Sequence, residues 1–354
     1  MQKIINSSFL LTLLAATLIM GSCRKETKPA EASSNPQPNA IAPGAGASST
    51  TLTLTGSGLG DVTSIVFTKG SISAPFNPVF NTESALVFRV PIEAVPGTQE
   101  ILFTNSVGKE FKVAFNVLGL AAITDVSNYN FTTGTQLTLT GKNLDDVTKV
   151  TLTGTTNDAT IVSKSATQLV ISMPATAVTR ATLNITNQGG TTTTTQEFVS
   201  LINNFNVFID NYENGFSDGS WGPSSISTTV FKSGTASTAK TLPKGNWWVA
   251  GFASWNAPYI VNNPAYKFLT FWIKGGIGNQ TLYFTGDQRT GGFGNGDQTT
   301  PLTIPANVWT YFKIPIGSLN LWAKGGDFKQ FGLWVKGPDN ADETFYFDDV
   351  MFVK

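Results

Sequence analysis

Residues 51–68, TLTLTGSGLGDVTSIVFT, return as residues 136–153, QLTLTGKNLDDVTKVTLT, at an offset of 85. Leucine alternates with threonine, then valine or isoleucine with polar residues. In an extended chain such alternation places every apolar side chain on one face. The likeness continues more loosely from Leu86-Val-Phe-Arg-Val-Pro to Leu169-Val-Ile-Ser-Met-Pro, and from Phe103-Thr-Asn to Ile185-Thr-Asn. Each copy therefore reads as several short strands broken by Gly, Asn and Pro, the pattern of a small β-sandwich.

The motif L-T-L-T-G-x-x-L followed by D-V-T resembles the IPT/TIG immunoglobulin-like domain. The resemblance implies one such domain over 40–118 and a second over 119–201. The opening segment Ile123-Thr-Asp-Val is clear in the second copy and degraded in the first. Neither copy clusters titratable residues or tryptophans, so both read as spacers rather than binding domains.

The chain starts with Lys3 and an apolar run from Phe9 to Met20, too short to span a bilayer and suited to an export signal over 1–22. Met20-Gly21-Ser22-Cys23 resembles a bacterial lipobox, with Met20 where Leu is usual. That resemblance implies lipidation of Cys23, which is the only cysteine and leaves no disulfide framework. Several acyl chains would anchor the protein stably. Residues 23–39, rich in Pro, Ser and charge, read as a flexible tether. Lys25-Glu26 loosely resembles the surface-export signal of Bacteroidetes lipoproteins, which implies an outer-membrane protein facing the exterior.

Charged residues are only 13% of the 354, and 23 basic residues balance 23 acidic ones. No basic tract offers the surface that nucleic acid needs. A neutral, polar partner fits better. All eight tryptophans and six of seven tyrosines lie after residue 205. There, Leu269-Thr-Phe-Trp-Ile-Lys-Gly, Thr281-Leu-Tyr-Phe-Thr-Gly, Val308–Ile316, Gln330–Gly337 and Phe345–Val353 alternate as strands. The span 205–354 suits one jelly-roll β-sandwich, so the whole chain is expected to be all-β.

Asp210-Asn-Tyr-Glu-Asn-Gly, Trp309-Thr-Tyr-Phe-Lys-Ile-Pro and Phe345-Tyr-Phe-Asp-Asp-Val resemble β-sandwich carbohydrate-binding modules. Lipobox, tandem IPT/TIG copies and such a terminal module, in that order, resemble the surface glycan-binding proteins of Bacteroidetes polysaccharide utilization loci, including the xyloglucan-locus members. The resemblance implies capture of a neutral polysaccharide (β-glucan, xyloglucan or mannan). It also implies association with an outer-membrane importer complex and surface glycosidases of the same locus.

Sugar rings pack their C–H faces on flat aromatics. Trp272, Trp309 and Trp334 sit inside strand patterns and read as packing residues. Trp247, Trp248, Trp255 and Trp322 lie at strand ends or in loops and are the candidate platform. Adjacent Trp247 and Trp248 face opposite ways if extended, so one binds and one packs. Trp248 and Trp255 are favoured, converging through a bend at Gly251. The loop 286–298 adds Asp287, Gln288, Arg289, Asn295 and Gln298 as hydroxyl partners. No cofactor is required. In sandwich modules of this kind the first and last strands often share a structural calcium, which here would fall to Asp210, Glu213 and Asp349. Alternation lets only one of Asp348 and Asp349 reach such a site.

There is no histidine, hence no Ser-His-Asp set. The adjacent Asp348 and Asp349 make a poor glycosidase pair, and Asp287 with Asp297 permits a pair without implying one. The chain reads as non-catalytic. A protein-binding surface adhesin, using the Ig-like array, is the alternative.

Overall fold

The computed structural model describes residues 30–245, 247–256, 259–294, 297–336 and 341–354. Cys23, the signal segment and Asn295 lie outside the described residues. The chain divides into two compact units, residues 1–119 and 120–354.

In the first unit, the strands Ala32–Ala42, Thr51–Leu59, Ala85–Arg89 and Phe76–Asn81 form one sheet in that spatial order. A five-stranded sheet containing Gly97–Asn105 and Glu110–Val117 covers it. In the second unit the Ig-like sandwich repeats the plan with Ala122–Val126, Gln136–Lys142, Gln168–Ser172 and Thr160–Lys164. The repeated apolar positions occupy both cores: Leu52, Leu54, Leu59 and Ile65 in one, Leu137, Leu139, Leu144 and Val150 in the other. The shared glycine has a steric cause. A Cβ on Gly56 would sit 2.3 Å from the carbonyl oxygen of Gln37, and one on Gly141 would sit 1.9 Å from that of Ala122. The first strand of each sandwich crosses the second at that glycine.

That first strand corrects the expected tether. Residues 32–42 pair with 51–59, Gln37 opposite Ser57 as Ala122 lies opposite Lys142. Pro36 and Pro38 suggested an unstructured segment. They are accommodated because this is an edge strand, where a missing N–H costs no ladder bond. Asn105 fixes its start by donating to the carbonyl of Ser33 at 2.8 Å.

The C-terminal sandwich has two antiparallel sheets between which most consecutive strands alternate, a jelly-roll arrangement. The front sheet runs in the order Ser217–Asp218, Trp247–Ala253, Gln330–Lys336, Gln280–Gly286, Pro301–Ile304. The back sheet runs Ser224–Ser227, Ser237–Leu242, Glu343–Val353, Phe268–Lys274, Trp309–Pro315, with Phe205–Phe208 also on Glu343–Val353. Between them lie Phe252, Phe271, Phe284, Phe331, Phe347 and Phe352. Stacked and edge-on contacts, such as Phe252 on Phe331 at 5.4 Å, fill this core.

Trp272 is buried, as its place in a strand pattern predicts, but not in that core. It lies on the outer face of the back sheet and is buried instead by the second Ig-like sandwich. Its Nε1 donates to Asn128 Oδ1 at 2.9 Å. Tyr129 stacks on Trp272 at 5.7 Å and on Tyr311 at 4.6 Å. Glu197 binds Arg180 at 2.6 Å within the Ig-like sandwich and Lys313 of the back sheet. The two sandwiches of the second unit thus share a packed seam, and the second copy does more than space its neighbour.

The seam also removes the alternation argument about Asp348 and Asp349. The pairing of Phe268–Lys274 with Glu343–Val353 slips between Thr270 and Trp272, and Asp349 has φ +47°. One extra residue is accommodated as a β-bulge, so adjacent side chains turn the same way. Asp348 accepts from the N–H groups of Lys232 (2.7 Å) and Ser233 (3.2 Å). Asp349 accepts from Ser233 Oγ (2.6 Å) and Asn130 Nδ2 (3.0 Å). Burial, then the neighbouring Asp349 charge, pushes Asp348 up to about 8. Burial likewise raises Asp349.

Two outcomes follow for stability. Gly141→Ala should destabilise the second unit by about 1–3 kcal/mol in urea unfolding, while Gly317→Ala, with nothing near its Cβ position, should change it by less than about 0.5 kcal/mol. An acid whose folded pKa is raised stabilises the fold below its unfolded value and loses that contribution as pH rises through the folded value. Stability should therefore fall between about pH 4, the unfolded aspartate value, and the folded value of about 8 for Asp348. Asp348→Asn should flatten that slope in urea titrations across the range.

Candidate functional site

The register of the front sheet decides which aromatics are available. Val249 pairs with Trp334 and Gly251 with Gly332, while Tyr283 pairs with Trp334 from the other side. Ala250, Phe252, Leu333 and Val335 point into the core, so Trp247, Val249, Gly251, Gly332, Trp334 and Tyr283 share the outer face. Trp247 is half-buried and stacks on Trp334 at 4.1 Å. Trp334, itself 2% exposed, donates from Nε1 to the carbonyl of Asp297 at 3.0 Å. Tyr283 continues the row at 6.2 Å from Trp334.

A second aromatic pair stands over the buried Gly251. Trp221 is 47% exposed and meets Phe293 edge-on at 6.0 Å. The glycine at 251 is required there. A Cβ would come within 2.4 Å of the Gly219 oxygen and 2.9 Å of Phe293 Cζ. The front face thus carries an aromatic trough in which Phe293 stands over Gly251 beside Trp221, with Trp247, Trp334 and Tyr283 on the same face. Thr281 and Thr303, paired opposite each other, lie on the same face by alternation.

Several expected site residues are placed elsewhere. Trp248 turns inward against the core, with its indole Nε1 buried and without a hydrogen-bond partner among the described residues. The expected bend at Gly251 is absent, since 247–253 pair without a register break. Trp255 is 57% exposed but follows the far end of that strand, about 20 Å from Trp247 at 3.3 Å per residue. Trp322 packs on Phe328 at 5.3 Å and donates to the Ile260 carbonyl at 3.0 Å, closing the core.

The loop residues brace rather than present. Arg289 is 1% exposed. It donates to Asp297 Oδ2 from Nε (3.0 Å) and Nη2 (2.7 Å), and to the Leu319 carbonyl. Burial alone would raise Asp297, but the Thr299 hydroxyl and N–H and the Arg289 guanidinium outweigh it and hold it below the ordinary carboxylate value. Asp287 accepts from the N–H of Lys329 at 3.2 Å. Gln288 accepts from the Lys324 N–H at 3.0 Å through its backbone carbonyl. These polar groups fasten the loop to the sheet, and Thr285 Oγ1 accepts the Gly294 N–H at 2.6 Å, which sets Phe293 over the trough.

The residues proposed for calcium do not fit that ion. Asp210 Oδ1 accepts the N–H groups of Thr235 and Ala236, and Glu213 accepts from Asn206 Nδ2. Asp349 is committed to Ser233 and Asn130. Among the described residues no three Asp, Glu, His or Cys side chains gather as a metal site. Hard-oxygen coordination needs several free carboxylate or carbonyl oxygens converging on one point; here each carboxylate gives one oxygen to a neighbouring donor, and the buried Asp349 Oδ1, without a partner among the described residues, is a single oxygen.

Sequence reasoning missed Trp221, Tyr283 and Phe293. Tyr283 was legible, since it alternates with Leu282 and Phe284. Trp221 sits between Ser220 and Gly222 with no periodic signal.

Residues 121–200 match the IPT/TIG domain family. No curated protein matches the chain. Among solved structures, SGBP-B from a complex xyloglucan utilization locus in Bacteroides uniformis is similar, with 18% identity, TM-score 0.44, and coverage of 90% of this chain and 99% of that one. The surface glycan-binding protein PbSGBP-B from Prevotella bryantii shows 16% identity and TM-score 0.43 over 91% of this chain and 99% of its own. The SGBP-B of a Bacteroides ovatus mixed-linkage glucan utilization locus, solved with a mixed-linkage heptasaccharide, shows 15% identity and TM-score 0.32 over 91% and 74%.

Proposed function

We propose that the C-terminal sandwich is a non-catalytic module that captures a neutral polysaccharide at the cell surface. The observation that carries this reading is the trough of the front sheet. Trp221 is 47% exposed, and Phe293, Trp247 and Tyr283 are partly exposed on the same face. Exposed aromatic surface of this kind on a folded domain marks binding. Pyranose rings present C–H groups that pack on such faces, and hydroxyls that threonine and backbone groups at the rim can meet.

The carboxylates do not suggest catalysis. Asp287, Asp297, Asp348 and Asp349 are each engaged by internal donors, so these four do not form the free pair across a cleft that a glycosidase uses. Affinity should be modest, about −4 to −8 kcal/mol, because a shallow, wet site loses much of its contact energy to ordering and desolvation. Xyloglucan and mixed-linkage glucan, associated with two of the similar proteins, are the first ligands to test. In the same reading Cys23 carries the lipid anchor, the Ig-like domains hold the module away from the membrane, and an importer complex with surface glycosidases receives the glycan.

In affinity gels containing neutral polysaccharides, the wild-type chain from Ala30 onward should be retarded by at least one. Trp221→Ala with Trp247→Ala should abolish retardation. Trp255→Ala should not, and Trp322→Ala should lower the melting temperature rather than the affinity. Retardation that survives the double substitution would move the site off this face. Failure of every gel to retard the wild type would favour the adhesin reading.

A further inference from the structure

Lys240 belongs to the back-sheet strand Ser237–Leu242, has no solvent exposure, and contributes nothing to the outer face of the front sheet. Its Nζ nevertheless reaches four oxygens: Asp218 Oδ1 at 2.7 Å, the Gly251 carbonyl at 2.8 Å, Tyr212 Oη at 3.0 Å and Ser220 Oγ at 3.2 Å. It also lies 4.6 Å over the Phe252 ring. A buried ammonium is costly unless it is paired and fully hydrogen-bonded. Its partners are therefore held firmly in place.

Three of those four oxygens belong to the segments that build the trough. Asp218 and Ser220 precede Trp221, and Gly251 lies beneath Phe293. Ser220 Oγ donates to Asp218 Oδ1 at 2.7 Å and accepts the Gly251 N–H at 3.0 Å. Gly219 donates to the Gly251 carbonyl at 3.1 Å, and Trp221 donates to that of Val249 at 3.0 Å. Residues 218–221 are thus stitched along the strand Trp247–Ala253, with the ammonium as the shared donor beneath.

We propose that Lys240 is a positioning residue of the glycan-binding face: from inside the sandwich it fixes the segment that presents Trp221, without touching the ligand. This rests on the reading of the front face as a glycan site. Burial would raise the Asp218 carboxyl. The Lys240 ammonium and the Ser220 hydroxyl and N–H outweigh that and hold it below the ordinary aspartate value. Among the described residues the charged group acting on Asp218 is Lys240, with Tyr212 reaching the same ammonium. An acid with a depressed pKa keeps its contribution above its unfolded value and loses it as pH falls through the folded one.

The test compares Lys240→Met, Asp218→Asn and Ser220→Ala in gels of whichever polysaccharide retards the wild type, with melting temperatures alongside. Loss of the charged hydrogen bonds should weaken retention about tenfold or more in Lys240→Met, and less in Ser220→Ala. The wild type should keep its retention down to about pH 4, the ordinary aspartate value. In Lys240→Met the acid loss should move to higher pH, because Asp218 no longer has its cation. If Lys240→Met does not fold, the other two variants carry the comparison. A folded Lys240→Met with wild-type affinity and pH profile would overturn the proposal, as would losses that simply track melting temperature. If no polysaccharide retards the wild type, the functional reading has failed separately. Acrylamide quenching of Trp221, isolated by difference against Trp221→Phe in each background, then decides. Quenching should increase in Lys240→Met, and no change would sink the proposal.

Discussion

In the register that sets Val249 beside Trp334 and Gly251 beside Gly332, successive side chains of the front sheet go to opposite faces. That two-residue period sorts the aromatics. Trp248, Phe252 and Phe331 go to the core, while Trp247, Trp334 and Tyr283 go to the outer face. A slip of one residue would exchange the sets and expose the phenylalanines. The trough exists because the inner set is large enough to fix the register and the outer set contains glycine where neighbouring chains must pass.

The same period governs the back sheet, and there its interruption matters. The bulge at Asp349 sets two neighbouring carboxyls side by side: Asp348 accepts from the backbone of Lys232 and Ser233 in its own sandwich, and Asp349 joins Ser233 to Asn130 of the second Ig-like sandwich. Trp272, Tyr311 and Tyr129 pack around that point. Buried polar groups of this kind are costly when left unpaired, so the seam demands one fixed arrangement of the two sandwiches. The front sheet is therefore carried on a packed body larger than its own sandwich.

Much of the fold was legible in the sequence. The offset repeat located both Ig-like cores residue by residue, and the alternating segments after residue 268 located the main strands. What was not legible came from pairings between distant segments. The two prolines near residue 37 concealed an edge strand, because nothing local shows that its partner begins at Thr51. Adjacent aspartates gave no sign of a bulge, which is defined by the opposite strand. The polar loop after Gly286 looked like ligand chemistry, yet its arginine turns inward to Asp297. Trp247 against Trp248 was readable only as a choice of one from two, and Trp221 carried no pattern at all.

The most direct measurement is a crystal structure of the chain with an oligosaccharide of a retained glycan. Sugar rings lying against Trp221 and Trp247 on the outer face of the front sheet are the predicted result. Rings bound at Trp255, or on either Ig-like sandwich with the trough empty, would contradict the account.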